Sequence, residues 1–405
     1  MGVKLLINSL FRGGAEKQFA ALAALLPHDA LVLLENEVSL PLPGTPVFLS
    51  SHTAATPSFL KTAAIPAYAR RLAALAGPGD TVLSFMERAN LVNVLAARRS
   101  GHRAVICERT RPSGEFSGLR GALMRPLIRK FYPEAAAIAA NSLGVKADLE
   151  LNFDVPPAKI TVINNGCDTG AIAALARLPL DAAWARVYAR PVICTSGRLT
   201  AAKGQWHLLR LFREVKAAVP GAALVLAGEG GLRGYLAGLS ADLGLKTYAG
   251  PGEPPPDADV YFAGFRENPY PFIANAALFA FTSVWEGFPN SLLEAMACGT
   301  PVISADCDSG PREILAPAAP FARRAAAPED APFGVLMPPL TADRLPAGTP
   351  ALAHEKVWAE KIAGLLADKA LLEKYSRASL ARAADFELSK AVPRWRDLLE
   401  KGATT

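Results

Sequence analysis

Short apolar runs alternate along this chain with longer stretches of helical periodicity. In the first half they predict strands at residues 3–6, 31–34, 47–49, 81–85, 104–108, 138–140 and 160–163, with helices between most of them. The alternation of strands and helices starts again at residues 191–196 and ends in a helical tail beyond residue 351. Strands that are apolar on both faces and alternate with helices are typical of parallel sheets covered by helices. The pattern therefore predicts two α/β domains, each with a parallel sheet.

The domain boundary is predicted near residues 168–190. We predict an N-terminal domain over 1–168, a linker over 169–190, a C-terminal domain over 191–385 and a last helix over 386–405. A chain of 405 residues has the size of two domains. Half of its residues are apolar and one-fifth are charged, as in packed globular proteins.

Five cysteines show neither a C-x-x-C pair nor the spacing of a disulfide framework. The apolar run at the N-terminus is too short for a secretory signal peptide. No window approaches the ~18 uninterrupted apolar residues of a membrane-spanning helix. We therefore expect a reduced, cytoplasmic protein.

The net charge of +6 is unevenly placed, since residues 61–130 hold 13 basic and 4 acidic side chains. Such an excess indicates an anionic partner, and no nucleic-acid-binding motif accompanies it. Within it, residues 115–133 form a basic amphipathic stretch suited to peripheral contact with an anionic membrane. An ordinary helix with a core-facing side and a solvated basic side explains the same pattern.

Two glutamates, Glu286 and Glu294, mark the strongest chemical segment, residues 281–315. It reads as a strand, a loop over 286–291, a short helix and a second strand. In an open parallel sheet, loops after strands and helix N-termini face one crevice, so both carboxylates could meet one ligand there. N–H groups at a helix start attract anions, which adds Asn290 and Ser291. A solvated helix glutamate and a loop charge would be the purely structural alternative.

A second segment, residues 196–204, places two cations beside a helix start. A strand ends at Ser196-Gly197, and Arg198 and Lys203 follow before a helix predicted from Gln205. Fixed cations at a helix N-terminus suit a diphosphate. A basic loop without a ligand is the alternative.

The sequence around these residues resembles the motifs of glycosyltransferase family 4, whose members are retaining enzymes of the GT-B fold. The resemblance rests on E-G-F-P-N-S-L-L-E-A-M-A-C-G-T-P-V-I, on G-R-L-x-x-x-K-G and on S-G-P-R-E-I-L. It implies two Rossmann-like domains facing a cleft, with the terminal helix crossing back to the first. Arg198, Lys203 and Glu286 would then be catalytic, Glu294 would bind the donor ribose, and Gly287, Phe288 and Pro289 would line the donor pocket. Because Arg198, Lys203 and N–H groups near Asn290 neutralise the diphosphate, we expect neither a metal nor a cofactor.

The same resemblance implies further donor contacts. Gly13 and Gly14 match a glycine pair near the donor phosphates, although a tight turn would also explain them. Gly264, Phe265 and Arg266 follow a strand at the position that lies by the nucleobase in the family. The donor is expected to be a UDP-sugar, with GDP-mannose as the alternative.

The acceptor side is predicted at Glu108 and Arg109, just past a strand end. The family often has histidine where Arg109 stands, so a histidine base is not expected, and plain surface charges are the alternative. The local basic charge points to a glycan or polyprenyl-diphosphate-linked acceptor in surface polysaccharide assembly.

Other functions are compatible with parts of the pattern. Two D-x-D matches, at 257–259 and 306–308, resemble manganese-binding pairs of a different fold. The first precedes its strand and the second lies inside the family segment, so a metal site is not favoured. An epimerase or phosphorylase of the GT-B fold, or a non-catalytic carbohydrate- or lipid-binding module, are the remaining alternatives.

Overall fold

Two sheets carry the fold, one in each of the two units into which the chain divides. The computed structural model describes residues 2–11 and 13–400. Unit 1 comprises Met1–Gly166 with Leu388–Thr405, and unit 2 comprises Cys167–Glu387. The prediction of two α/β domains with parallel sheets is confirmed.

Unit 1 contains a 7-stranded parallel sheet of order β3-β2-β1-β4-β5-β6-β7. Its elements are β1 (Val3–Ile7), α1 (Gly14–Ala23), β2 (Ala30–Leu33), β3 (Val47–Phe48), α2 (Ser58–Ala63), α3 (Ile65–Ala73), β4 (Thr81–Phe85), α4 (Glu87–Ser100), β5 (Arg103–Glu108), α5 (Pro112–Glu115), α6 (Gly118–Phe131), β6 (Ala137–Ala140), α7 (Leu143–Phe153) and β7 (Ile160–Val162). Leu5 and Ile7 of β1 enter one core and Leu6 enters another. Successive side chains of a strand point to opposite faces, so a strand covered on both sides must be apolar throughout.

Unit 2 contains an 8-stranded sheet of order β10-β11-β9-β8-β12-β13-β15-β14. Its elements are α8 (Thr169–Ala176), α9 (Ala182–Val187), β8 (Val192–Ser196), α10 (Gln205–Ala218), β9 (Ala223–Ala227), α11 (Arg233–Asp242), β10 (Thr247–Tyr248), β11 (Val260–Gly264), α12 (Tyr270–Ala274), β12 (Leu278–Phe281), α13 (Asn290–Ala297), β13 (Val302–Ala305), α14 (Pro311–Leu315), β14 (Glu329–Ala331), β15 (Gly334–Met337), α15 (Ala353–Ala367) and α16 (Lys369–Asp385). The edge strand β14 is antiparallel to β15, which is a departure from an all-parallel sheet. A two-residue turn joins them, and a parallel pair would need a long crossover.

Residues 169–190, predicted as a linker, contain α8 and α9. Ile172 of α8 and Trp184 and Val187 of α9 lie in a core of unit 2. The apolar face of each short helix is what ties this segment to the unit.

The last helix, α17 (Leu388–Glu400), packs within unit 1. Trp395 stacks on Phe85 of β4 with ring centroids 5.7 Å apart. The Arg103 guanidinium donates to the carbonyls of Leu398 and Leu399 over 3.0 and 3.2 Å, which satisfies carbonyls at the end of the helix. Among the described residues, no helix is long and apolar enough to span a membrane.

In each sheet the strand order reverses at a switch point. There, two neighbouring strands are followed by connections that run to opposite edges of the sheet. In unit 1 the switch point lies between β1 and β4, and in unit 2 between β8 and β12. In open α/β sheets, ligands bind at the carboxyl ends of the strands at such points.

Candidate functional site

The loops after β8 and β12 meet at the switch point of unit 2. The N–H of Val284 donates to the carbonyl of Ala202 over 2.8 Å. The hydroxyl of Thr282 donates to the carbonyl of Lys203 over 3.2 Å. These bonds bring the Lys203 ammonium to 2.6 Å from Oε1 of Glu286, with side chains 20% and 12% exposed. Two residues predicted for one site thus form a single ion pair that solvent still reaches.

Glycines permit this close approach of the loops. Gly204 has φ of 57°, and a Cβ there would lie 2.4 Å from the carbonyl oxygen of Thr282. A Cβ on Gly228 would lie 2.0 Å from the carbonyl oxygen of Gly197. The N–H of Gly228 donates to the carbonyl of Gly264 over 2.8 Å. The predicted glycines 197 and 264 therefore lie at adjoining strand ends, where no side chain hinders a ligand from reaching the backbone.

Arg198 supplies a second cation in the loop after β8. The next N–H, of Leu199, donates to the carbonyl of Glu229 over 2.9 Å, and Gln205 Nε2 donates to the Arg198 carbonyl over 3.0 Å. These bonds fix the backbone, while the side chain is exposed. Its guanidinium makes no hydrogen bond or ion pair with the residues that the structure describes, so it remains available to an anion.

The loop that carries Glu286 is supported from behind by the loop after β13. The Ser309 hydroxyl donates to the Glu286 carbonyl. Gly310 has φ of 94°, and a Cβ there would lie 2.4 Å from Cδ of Pro289. The predicted loop residues Gly287, Phe288 and Pro289 are buried. They support the loop rather than present side chains to solvent. Ser309 begins the S-G-P-R-E-I-L motif, but its supporting role was not predicted from the sequence.

Glu294 lies in α13, one turn after Asn290 and Ser291 at the helix start. It accepts a hydrogen bond from the hydroxyl of Tyr270; burial and this carboxylate raise the Tyr270 pKa. Burial, and then the charge of Glu294, raise the pKa of Cys298 to about 12. Glu294 therefore already has a protein partner. Tyr270 was not predicted, because it lies 24 residues before Glu294 in the chain.

Residues after β11 divide between two environments. Phe265 is exposed at 47%. The Arg266 guanidinium is stacked over the rings of Trp184 and Phe272, at 5.4 and 5.0 Å from their centroids. Arg266 also lines a cavity of about 280 Å³ beside Asp181 and Glu253. Its charge is thus directed to α9 and α12 rather than to the loop of Lys203.

In unit 1, Gly13 and Gly14 stand where α1 begins, after β1. Gly13 is buried at the N-cap position, and a Cβ there would lie 2.1 Å from the Glu16 carboxylate. On the other side of the switch point, Met86 follows β4 with φ of 74°, a conformation that is strained for a residue with a side chain. Strain of this kind is often found at functional sites.

Glu108 and Arg109 are buried, so their interpretation as surface charges is wrong. Burial and the charge of Glu87 raise the pKa of Glu108 to about 8. The Arg109 side chain lies over the Phe85 ring at 5.3 Å, and its Nη1 donates to Cys107 Sγ over 3.6 Å. Nε and Nη2 of Arg109 have no hydrogen-bond partner within the described residues.

Glu87 and Thr110 join this site, although the sequence did not single them out. Thr110 Oγ1 lies 3.1 Å from Oε1 of Glu87 and 3.3 Å from Oε1 of Glu108. One hydroxyl donates one proton, so it can bond both carboxyl groups only when one of them is protonated. Burial, followed by the charge of Glu115, raises the Glu87 pKa, which favours that state. The available signal was the position of Glu87, which lies two residues after the end of β4.

The four D-x-D carboxylates are each paired with a basic side chain. Asp257 pairs with Lys246 at 3.2 Å and Asp259 with Lys216 at 2.7 Å. In the second motif, Asp306 accepts from Arg312 Nε over 2.9 Å and Asp308 from Arg324 Nε over 3.3 Å. Each of the four aspartates therefore forms an ion pair with a basic residue of unit 2.

Known proteins resemble this chain in both halves. Residues 12–171 match a family model described as glycosyltransferase family 4, and residues 181–331 match one described as glycosyl transferases group 1. The second matched segment contains β8 and β12, the two strands at the switch point of unit 2.

Individual relatives cover most of the chain. The N-acetylgalactosamine-N,N'-diacetylbacillosaminyl-diphospho-undecaprenol 4-alpha-N-acetylgalactosaminyltransferase of Campylobacter jejuni is 32% identical over 324 residues, 77% of this chain and 82% of the relative. An uncharacterised glycosyltransferase of Methanocaldococcus jannaschii is 28% identical over 333 residues, 79% of each chain. The crystal structure of Anabaena HepE in complex with UDP superposes with a TM-score of 0.72 at 20% identity, over 99% of this chain and 100% of that chain. That last likeness concerns the fold.

Proposed function

Since this chain belongs to the group 1 glycosyltransferases of the GT-B fold, we propose that it transfers a sugar from a nucleotide-sugar with retention of anomeric configuration. The donor is a UDP-sugar, and the acceptor is a glycan or a polyprenyl-diphosphate-linked sugar in surface polysaccharide assembly. The observation that carries the proposal is the Lys203–Glu286 ion pair at the switch point of unit 2, with exposed Arg198 in the same loop.

When the donor binds, its diphosphate replaces Glu286 as the partner of Lys203. The Lys203 ammonium and the Arg198 guanidinium then both form charge-assisted hydrogen bonds with phosphate oxygens. N–H groups at the start of α13 add to this anion site. Glu286, released from Lys203, accepts hydrogen bonds from hydroxyls of the donor sugar, and Glu294 accepts from the ribose.

The chemical step is a displacement on one face of the donor sugar. The bond from the anomeric carbon to the diphosphate oxygen breaks, and the bond to the acceptor oxygen forms on the same face. The acceptor proton passes to the departing phosphate oxygen. Lys203 and Arg198 stabilise the negative charge of the leaving group, which is the role that a metal ion plays in other transferases.

Two comparisons support the choice of substrates. The Anabaena neighbour was solved with UDP, and the Campylobacter relative is named for a diphospho-undecaprenol acceptor. A lipid-linked acceptor would also explain the basic charge of residues 61–130.

A panel of UDP- and GDP-sugars, assayed for transfer and for the anomer produced, tests the proposal. Lys203→Ala should weaken UDP binding by about 10- to 100-fold, because it removes a hydrogen bond to a charged group. Lys246→Ala, which removes an exposed lysine paired with Asp257, is the matched control. Wild-type affinity in Lys203→Ala, or transfer that vanishes in EDTA and returns only when Mn²⁺ or Mg²⁺ is added, would contradict the assignment.

Peripheral membrane contact is proposed through α6. Leu119 and Leu123 are 93% and 54% exposed. Arg120, Arg125, Arg129 and Lys130 are exposed on the same helix, whereas Met124 and Ile128 pack into the core. Exposed leucines between arginines suit the surface of an anionic bilayer.

Flotation with vesicles that contain anionic lipid tests this contact. Leu119→Asp combined with Leu123→Asp should reduce the bound fraction about 10-fold, since each change places a negative charge against anionic lipid. Leu151→Asp is a matched control on α7, because Leu151 is also exposed, at 79%. Equal flotation of the double variant and wild type would refute the role of α6.

A further inference from the structure

Two histidines and a glutamate cluster between α10 and α15. His207 lies in the first turn of α10, and His354 and Glu355 lie in the first turn of α15. The imidazole rings of His207 and His354 are 6.3 Å apart and tilted by 68°. His207 and Glu355 are buried and His354 is half-buried.

The hydrogen bond of His207 leaves the other ring nitrogen as a ligand. Its Nε2 lies 2.8 Å from the carbonyl oxygen of Thr341, which can only accept, so Nε2 carries the proton. Nδ1 therefore presents a lone pair, and it has no hydrogen-bond partner among the described residues. A histidine that donates one N–H to a backbone carbonyl and keeps its second nitrogen unprotonated and unbonded has the hydrogen-bond pattern of metal-bound histidines.

Glu355 is held in the same manner. Arg210 Nε donates to its Oε1 over 2.5 Å, and Arg210 Nη2 and the N–H of Leu352 donate to its Oε2, each over 2.9 Å. A carboxylate has about four lone-pair positions, so Oε1 still has one to offer. Metal-binding carboxylates are commonly supported by such hydrogen bonds from other residues.

We propose that His207, His354 and Glu355 form a binding site for one divalent transition-metal ion of the zinc class. One ligand atom from each residue lies within 4.8 Å of the other two. The ligands of a tetrahedral zinc ion lie about 2.0–2.1 Å from the metal and therefore closer to one another than that, so binding of the ion would draw the three side chains together. Two imidazoles and a carboxylate suit zinc, with water as the fourth ligand.

The ion would connect two helices of unit 2 at a functional position. α10 begins directly after Lys203 and Gly204, so a metal bond to His207 fastens its first turn to α15. The site takes no part in the proposed sugar transfer. Its effect is to stabilise the part of unit 2 that presents Lys203.

Binding of Co²⁺ and Zn²⁺ alone, to the full chain without an affinity tag, tests the site. We expect one Co²⁺ per chain with the visible absorption of a low-coordinate nitrogen–oxygen site, and its displacement by Zn²⁺. Zn²⁺ at about 100 times its Kd should raise the Tm of unit 2 by about 5 °C.

His354→Ala should weaken Co²⁺ binding at least about 10-fold while the protein stays folded, because this ring is half-buried. His207→Gln, which keeps a donor for the Thr341 carbonyl, should have the same effect. His28→Ala is the control, since His28 lies in unit 1. Absence of stoichiometric binding, unchanged binding in His354→Ala, or a thiolate-type spectrum that disappears in Cys298→Ala would overturn the proposal.

Discussion

At the switch point of unit 2 the charged side chains reach solvent, whereas at the switch point of unit 1 they are buried. Lys203 and Glu286 pair with each other where the loops after β8 and β12 meet, with side chains that are 20% and 12% exposed. Arg198, in the same loop as Lys203, is exposed. In unit 1, Glu108 and Arg109 lie in the protein interior at 0% and 6% exposure. The same topology thus supports two different kinds of electrostatic site.

The difference concerns how each site can respond to a ligand. Because solvent reaches the Lys203–Glu286 pair, a phosphate can enter and replace Glu286 as the partner of Lys203. Buried groups pay a desolvation cost before any ligand arrives, and they respond by shifting their pKa. Unit 2 is therefore suited to an anion that comes and goes, and unit 1 to a fixed pattern of protons and hydrogen bonds.

Glu286→Gln should give the largest effect and separates catalysis from binding. Transfer should fall about 100- to 1,000-fold, as for the loss of one transition-state contact. UDP affinity should be unchanged or higher, because Glu286 no longer competes with the diphosphate for Lys203. Kinetics and calorimetry measure the two quantities, with Glu253→Gln, an exposed carboxylate of unit 2, as the control. Parallel loss of affinity and transfer would contradict the exchange of partners.

Glu108→Gln tests the burial of charge in unit 1. The pKa of Glu108 rises from 4.5 to about 8 on folding, so the protonated form is favoured in the native state. Its contribution to stability is complete below pH 4.5 and is lost as the pH rises to about 8. The wild-type free energy of unfolding should therefore fall more steeply over this range than that of the variant, by about 1.4 kcal/mol per pH unit.

Urea unfolding between pH 5 and pH 8 measures this slope. Glu134→Gln, which removes a half-exposed carboxylate paired with Arg98, serves as the control and should keep the wild-type slope. If Glu108→Gln also kept it, Glu108 would be ionised in the native state, and the contrast between the two switch points would fail.

Ser309→Ala should give the smallest effect. It removes the hydroxyl that donates to the Glu286 carbonyl, a loss of about 1 kcal/mol. If that loss falls on the positioning of Glu286, transfer should drop about 5-fold with UDP affinity unchanged. Ser117→Ala, at an exposed helix start without a side-chain cap, is the control. Wild-type rates in Ser309→Ala would show that the Glu286 loop holds its geometry without this bond.

The meeting of the loops after β8 and β12 could be predicted because the residues of each loop are close in sequence and carry recognisable chemistry. Gly197, Arg198 and Lys203 lie in one loop, and Glu286 and Glu294 lie in one loop and helix. The hydrogen bonds of Tyr270 with Glu294 and of Ser309 with Glu286 were not predicted, because a bond between distant residues leaves no local pattern. Arg266 matched a family position, yet its guanidinium is stacked on Trp184, a contact that only packing creates.

By itself, the sequence determined the two α/β domains, the order of their strands along the chain and the charged loops at the ends of β8 and β12. Local periodicity and turn residues are sufficient for these, because they depend on neighbours in the chain. The tertiary structure alone decided which charges are buried. It also showed that residues 169–190 belong to unit 2 and that Glu87 lies beside Glu108. Burial depends on residues that several strands and helices bring together. The protonation state of a carboxyl group therefore follows from the fold and not from its neighbours in the sequence.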